Sequence, residues 1–503
     1  MWTGRGSSLH KKLPIFYSAL LLTLVNLLLW FAGTGFQVYL SRRIGAAGVG
    51  LLQLVMSTGG LAMVAGMAGI RTAAMYLTAE ELGKRRPENV RQVLSACFLY
   101  SILCSAMAAG ILLGFAPVIA ENWIGDFRTL PSLRLLAGCI PVTCLCGVMT
   151  GYFTAANRIG TLAVVEVAEQ ILSMTVTMLF LTCWAGSDAG RACLCVVLGS
   201  GAGALLTLVS LTGLRIREKV SGTVHVPVRR RLLQAAVPLA LADILKSGIN
   251  TAENLMVPKR LAKNAAVENP LADFGRVSGM VFPVMMFPAC ILFALAELLI
   301  PELARCAAAE SRTRISYLIR RSLKIAMLYG FFFSGLMILL ADPLCRKLYG
   351  NPEAVGYLQL YALLIPMLYC DAITDAMTKG LGQQTICVRY NILTSAMDVA
   401  LLFLLLPKYG MDGYFVSFLV THLLNFILSF RRLLKISGES IPFSVPALTV
   451  AAAAAALWGA SRMRGAAGQA LAYSALLGSL LYLFRILGAE DVHWLKGLIK
   501  AKK

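Results

Sequence analysis

Apolar residues in this chain fall in runs of about twenty, separated by short polar turns. A helix of that length spans a hydrocarbon layer of roughly 30 Å, and a bilayer forces its backbone to bond within itself. Fourteen runs meet this condition: 13–40, 49–70, 94–117, 133–153, 161–184, 192–214, 232–257, 275–300, 323–341, 357–378, 389–406, 413–430, 443–460 and 466–487. They predict an all-α integral membrane protein with fourteen transmembrane helices and no inserted soluble domain. The first run is too long for the apolar core of a signal peptide, and no small-residue cleavage site follows it, so it is expected to remain as the first span.

Composition sharpens this picture. Hydrophobic residues make up 58% of the chain and charged residues 14%, against about 25% charged in soluble proteins. The net charge of +21 invites a nucleic-acid reading, but the positions of the charges argue for topology. With the N-terminus inside, lysines and arginines of the inner loops outnumber those of the outer loops by about two to one. Both termini are therefore expected in the cytoplasm. The runs Arg229–Arg231 and Arg320–Arg321 are expected to anchor on anionic lipid; Lys84–Arg86, the terminal cations Arg5, Lys496, Lys500, Lys502 and Lys503 and the loop cations Arg217 and Lys219 count with the inner set. The exceptions are Arg42 and Arg43 after the first span, and Lys259, Arg260, Lys263 and Arg276 around the seventh. Positive charge there runs against the topology rule and calls for a separate cause.

A weak repeat recurs six helices apart. Ser41-Arg42-Arg43-Ile44 after the first span parallels Pro258-Lys259-Arg260-Leu261 after the seventh. Met149-Thr150-Gly151 parallels Met377-Thr378-Lys379-Gly380. Six is even, so the halves keep one orientation, as in transporters built from parallel repeats. The expected organisation is an N-terminal lobe over 1–221, a C-terminal lobe over 222–438, and an appended helix pair with a short tail over 439–503.

Ionisable groups inside spans cost about 2.5–3.5 kcal/mol on insertion scales and so face a cavity or a partner. Asp243, Lys246, Asn250 and Glu253 fall within an arc of about 80° on the seventh span. They read as a polar cavity wall or as an Asp243–Lys246 pair between helices. Asn26, Trp30, Gly33, Gln37 and Ser41 share a face of the first span in the same two senses. Asp371 and Asp375, one turn apart in the tenth span, can carry a coupling ion or bond a neighbouring helix; so can Asp243, Glu166, Glu169 and the single Asp398 and His422. Arg71 closes the second span, either in a cavity or snorkelling to the interface. No nucleotide-binding loop, zinc-protease helix or serine-nucleophile motif is present. The thirteen cysteines lack metal-ligand spacing, Cys144/Cys146 and Cys193/Cys195 pointing to different helix faces. The chain is expected to be a transporter and no enzyme, with no metal, cofactor, nucleotide or nucleic-acid partner.

Two stretches carry a family resemblance. Leu295–Ala304 leads into a basic helix ending at Lys324. The run from Ile365 to Leu434 reads IPMLYCDAITDAMTKGLGQQ, RYNILTSAMD, LLPKYGMDGY and LLNFILSFRRLLK in turn. Both resemble the stage V sporulation protein B group of polysaccharide biosynthesis and export proteins. That group belongs to the multidrug/oligosaccharidyl-lipid/polysaccharide exporter superfamily, with the lipid II flippases and MATE transporters. The resemblance implies two six-helix lobes working by alternating access in the bacterial cytoplasmic membrane, on a sugar head group borne by undecaprenyl pyrophosphate. It implies a cationic cavity lined by spans one, two, seven and eight, at positions that here offer Arg42, Arg43, Arg71, Lys246, Lys259, Arg260 and Arg276, with Asn250 and Glu253 beside them. It implies a lipid-tail groove on spans thirteen and fourteen. Where the resemblance leads one to expect a proline break in the second span, this chain has Ala65-Gly66-Met67-Ala68-Gly69-Ile70. An ion-coupled exporter of small cationic or amphiphilic compounds and a non-transporting cell-wall scaffold are the alternatives. The first would favour acidic cavity residues; the second would tolerate their neutralisation.

Overall fold

The computed structural model describes residues 7–84, 87–186, 188–216, 228–439 and 444–487. Arg5, Arg85, Arg86, Arg217, Lys219, Lys496, Lys500, Lys502 and Lys503, counted above with the inner set, lie outside the described residues. Those residues form α1 (Ser7–Met67), α2 (Ile70–Gly83), α3 (Pro87–Val118), α4 (Leu130–Ala155), α5 (Ile159–Phe180), α6 (Ala189–Ile216), α7 (Val228–Leu261) and α8 (Pro270–Arg276). They continue with α9 (Phe282–Met286), α10 (Ala289–Ala308), α11 (Arg312–Asp342), α12 (Ala354–Ala362), α13 (Ile365–Gly380), α14 (Gln384–Ser437), α15 (Ser444–Ala460) and α16 (Ala466–Leu483).

Each apolar run becomes a helical crossing, although the helix boundaries do not coincide with the runs. α1 contains the first two runs and folds back at Gly45 (φ 68°, ψ 177°); α14 contains the eleventh and twelfth and folds at Gly410 (φ 58°, ψ −136°). Only glycine occupies such backbone without strain. The eighth crossing bends by 62° between α9 and α10, and the tenth by 52° between α12 and α13. Fourteen crossings result, as the hydrophobic pattern predicts.

The second crossing breaks without proline. Ala68 (φ 42°) and Gly69 (φ 71°) both take left-handed backbone, ending α1 and starting α2. A break in lipid leaves carbonyls unpaired unless something donates to them. Here Tyr100 Oη donates to the Ala68 carbonyl at 3.2 Å. The buried Thr58 and Thr374 are satisfied locally: they donate to the carbonyls of Leu54 and Cys370, four residues back, at 2.9 and 2.7 Å.

The chain divides into two compact units between Gly275 and Arg276. In the first, Ile70, Leu77, Val93, Phe153, Leu211 and Ala236 bring α2, α3, α4, α6 and α7 to one core. α7 lies antiparallel along the returning limb of α1 and its continuation α2, and a single register holds throughout. Thr251 Oγ1 donates to the Ser57 carbonyl at 3.1 Å, and Asn254 Nδ2 to Ser57 Oγ at 3.1 Å. Twelve residues further, Gly69 faces Ala236, Leu239 and Ala240 so closely that a methyl group there would meet the Ala236 carbonyl at 2.6 Å. At the far end Arg231 reaches Glu80 at 2.5 Å and Glu81 at 2.9 Å. Arg231 is thus committed to an ion pair, while Arg229 and Arg230 stay exposed.

In the second unit α15 and α16 pack through Ala452, Ala456, Tyr473 and Leu477 against Phe332 of α11. Tyr473 Oη donates to the Phe331 carbonyl at 2.7 Å, and Tyr369 Oη to the Met285 carbonyl at 2.7 Å.

The sequence repeat has a structural counterpart within each unit. Gly151 brings α4 onto the backbone of α2, where a Cβ would meet the Arg71 carbonyl at 2.5 Å. Gly380 brings α13 onto α10, where a Cβ would meet the Ile300 carbonyl at 2.9 Å. Crossing four on two thus matches crossing ten on eight. Crossings three and nine also end alike, each in a π-helical turn (Ile119–Ile124, Pro343–Tyr349) closed by a left-handed glycine, Gly125 or Gly350.

Candidate functional site

The first unit carries most of the predicted cations. Arg42 and Arg43 are exposed beside the Gly45 fold, at the tip where the first two crossings meet. Arg71 is the second residue of α2, just past the Ala68–Gly69 break, and is exposed. Gly151 fixes its backbone against α4. Its guanidinium acts electrostatically on Glu166 of α5, which Glu169 also influences. Glu169 in turn accepts a 2.6 Å hydrogen bond from Thr207 Oγ1.

On α7 the buried residues Ala240, Thr251 and Leu255 face the α1 side. Asp243, Lys246 and Asn250 are exposed and Glu253 half-buried, on a face turned well away from it. No ion pair joins Asp243 to Lys246 or either one to another described residue. The interhelical-pair reading of the stripe therefore finds no support. At the end of α7 the Lys259 ammonium donates to the Asn122 carbonyl in the π-helical turn after α3. Arg260 beside it is half-buried and engaged.

The remaining predicted residues belong to the second unit. Arg276 pairs with Glu353, before α12. Asp371 accepts from Asn425 Nδ2 at 3.1 and 3.3 Å. Asp375, one turn on, pairs with Lys379 at 2.6 Å. Asp398 is buried and accepts from Ser417 Oγ at 2.6 Å and Thr421 Oγ1 at 3.1 Å. His422 Nδ1 lies 2.9 Å from the Phe418 carbonyl, so it bears the proton, and its ring stacks on Phe418 at 3.8 Å. Asp398 and His422 are single in sequence but adjoin one polar column. Sequence reasoning missed Ser417, Thr421 and Asn425, although their spacing of four puts them on one helix face.

Outside the spans, Asp126 precedes α4. Its carboxylate accepts from Arg128 Nη2 at 2.7 Å, which with the backbone N–H of Arg128 holds it below the usual carboxylate range despite partial burial.

Chemically, the first unit offers exposed cations at both ends of one helix pair and a mixed polar stripe between. Guanidinium and ammonium groups suit phosphate oxygens. The second unit offers two carboxylates held by neutral donors, Asp371 and Asp398, a set suited to a proton or a small cation.

Comparison with known proteins agrees with this architecture. The chain is 22% identical to stage V sporulation protein B of Bacillus subtilis (strain 168) over 479 residues, covering 91% of this chain and 92% of that protein. It is 25% identical to the sporulation protein YkvU of the same organism over 334 residues, 64% of this chain and 73% of the other. Among solved structures, the lipid II flippase MurJ in an inward closed conformation matches with a TM-score of 0.65 at 14% identity, over 95% of this chain and all of that one. An inward-facing multidrug resistance MATE family transporter of the MOP superfamily also matches at 0.65, with 12% identity, over 84% of this chain and all of that one. These likenesses establish the fold of a multi-pass membrane protein. The model of the polysaccharide biosynthesis protein family matches residues 16–307, more than half of the sequence, and the chain therefore belongs to that family.

Proposed function

We propose that this protein is a flippase that moves an undecaprenyl-pyrophosphate-linked oligosaccharide, with the peptidoglycan precursor lipid II as first candidate. It works by alternating access in the bacterial cytoplasmic membrane, with both termini in the cytoplasm. Residues 1–221 and 222–438 act as the two lobes, and 439–503 as the appended pair. The observation that carries the reading is Lys246: a cation midway along a crossing, exposed, on one face with Asn250, and held by no ion pair among the described residues. An ammonium in lipid would cost about 2.5–3.5 kcal/mol, so its place is a water-filled path that takes an anion. Arg42, Arg43, Arg71, Arg260 and Arg276 extend that path, with Glu253 as a contact to the sugar; Lys259, turned to the Asn122 carbonyl, stands apart from it. The isoprenoid tail is assigned to the appended helices, where a cleft of about 520 Å³ is walled by Leu339, Leu457 and Trp458 and, on its polar side, by Gln359, Ser461 and Gln469.

Reconstitution with fluorescent lipid II tests this. The parent protein is expected to move the probe between leaflets. Lys246→Ala and Arg260→Ala are expected to lower the rate at least about tenfold, the loss of one or two charge-assisted contacts. Absence of movement in the parent removes the lipid II reading; full movement in both variants removes the cavity assignment.

The bond between Asn425 and Asp371 favours ion coupling as the source of drive, with Asp243, and Asp375 where it parts from Lys379, as further carboxylates. Dependence of flipping on a proton or sodium gradient, lost in Asp371→Asn, is the expected sign. The same gradient driving efflux of a cationic dye, with lipid II unmoved, would favour a small-molecule exporter.

A further inference from the structure

A groove of about 350 Å³ runs between the returning limb of α1 and α3, wholly within the first unit. Its floor is buried: Ala108, Leu112 and Ile119. Its rim is large and exposed: Ile111, Phe115 and Trp123. Apart from the Trp123 indole at its end, the one polar side chain in the lining is Thr58, and its hydroxyl is already donated to the Leu54 carbonyl at 2.9 Å. Short of that end, an occupant is therefore offered hydrocarbon alone. Along α3 and its terminal turn the lining extends from Ala108 to Trp123, on the order of 20 Å of helix. That exceeds the roughly 15 Å of hydrocarbon in one leaflet and matches a leaflet with its interfacial layer, about half of 40–45 Å.

Chemistry changes at the groove's end. Trp123, an aromatic of the interfacial type, follows Asn122, whose carbonyl holds the Lys259 ammonium. An ammonium has three N–H donors, so two remain for another acceptor, and the Lys259 side chain is exposed. Glu121 is exposed in the same turn. A head group with one phosphate and an amine satisfies both signs; a pyrophosphate would meet repulsion from Glu121.

We propose that this groove holds one acyl chain of a zwitterionic glycerophospholipid, with its phosphate on Lys259, as a bound lipid separate from the transported one. Its seat is the α1–α3 groove of the first unit, whereas the tail of the transported lipid is assigned to the appended helices. The bound lipid fills the gap between the two helices and ties the end of α7 to the end of α3 through one head group.

The test uses the full chain, purified in detergent and washed free of bulk lipid. A phosphatidylethanolamine carrying a diazirine in its acyl chain is added, photolysed, and the adducts are mapped by mass spectrometry. Adducts are expected in residues 58–65 and 108–123, in excess over the equally apolar exposed face at Leu99, Leu103 and Met107. Native mass spectrometry is expected to find one retained phospholipid, with retention about fivefold weaker in Lys259→Gln. Even labelling over all of α3 overturns the proposal. So does a retained polyprenyl pyrophosphate in place of the phospholipid, which would give the groove to the transported substrate. Filling the groove with Ala62→Leu and Ala65→Leu should abolish retention; if that variant does not fold, the parent's adduct map decides alone.

Discussion

Removing Arg231 exposes how much of the first unit hangs on one ion pair. The guanidinium bridges Glu80 at 2.5 Å and Glu81 at 2.9 Å, joining the start of α7 to the end of α2. The two carboxylates are unequal. Glu80 is a quarter exposed and is also held by Lys84 at 2.5 Å. The Glu81 side chain is only 2% exposed, and its other partner is Asn89 Nδ2 at 2.9 Å. Breaking a buried pair by removing one member costs about 3–5 kcal/mol, because a desolvated charge is left behind. A partly exposed pair contributes about 0.2–1 kcal/mol. Arg231 itself is 28% exposed, so water relieves part of the loss, and Arg231→Met is expected to cost about 2–4 kcal/mol. Glu80→Gln should cost less than about 1 kcal/mol. Arg231→Met combined with Glu81→Leu should recover part of the loss, since the stranded carboxylate is gone. Thermal unfolding in detergent, followed by size-exclusion fluorescence, reads these differences directly. At about 2–4 °C per kcal/mol for a unit of this size, the single change lowers the midpoint by roughly 4–16 °C. A midpoint unchanged in Arg231→Met would refute the reasoning, and so would equal losses for Glu80→Gln and Glu81→Gln. Arg229→Ala and Arg230→Ala, both exposed, serve as controls and should leave the midpoint in place.

The paired glycines should rank by their clearance: Gly151→Ala, facing a carbonyl at 2.5 Å, is expected to destabilise more than Gly380→Ala at 2.9 Å, both within about 1–3 kcal/mol. Gly138→Ala, with open space around it, should instead stabilise α4 by up to about 1 kcal/mol; a common sign for all three in the same melting assay would contradict the close-approach argument. Asp371→Asn should uncouple transport from its ion gradient while leaving the melting temperature near the parent's, as the amide still bonds Asn425; a flipping rate with unchanged gradient dependence would remove the carboxylate from the coupling path. Because Arg128 depresses the Asp126 carboxyl, its stabilisation is complete above the unfolded value of about 3.9 and is lost as pH falls through the lower folded value. Asp126→Asn should therefore flatten the acid limb of stability below about pH 4, and an unaltered acid limb would count against the pair.

The crossings were legible because lipid admits so few backbone solutions: an apolar run of twenty residues has little choice but helix. Gly45 and Gly410 each turn the chain back between two runs with no intervening loop, a detail hydropathy does not carry. The break at Ala68–Gly69 was invisible for another reason. It lacks proline, and it depends on a tyrosine thirty-two residues away to satisfy the carbonyl it frees. Arg231 shows the limit for charge. Nothing distinguishes it from Arg229 and Arg230 in sequence, and its partners lie 150 and 151 residues back. The polar stripe on α7 was readable from periodicity alone. The column around Asp371 and Asp398 was only half readable, because its acceptors stand out as charges while the neutral donors of α14 do not.

The register between α7 and the α1–α2 limb has a consequence for biogenesis. The bond from Thr251 to the Ser57 carbonyl closes across 194 residues. At a synthesis rate of about 5–20 residues per second, α1 waits roughly 10–40 s in the membrane before its partner emerges. During that interval the groove that α7 will fill, with Gly69 at its base and Glu81 at its end, is open to lipid or to another helix. Early membrane insertion thus yields an incomplete unit, and the seventh crossing acts as the piece that closes it. A chain stalled before residue 228 would present Glu80 and Glu81 without Arg231, a marked surface that quality control could recognise.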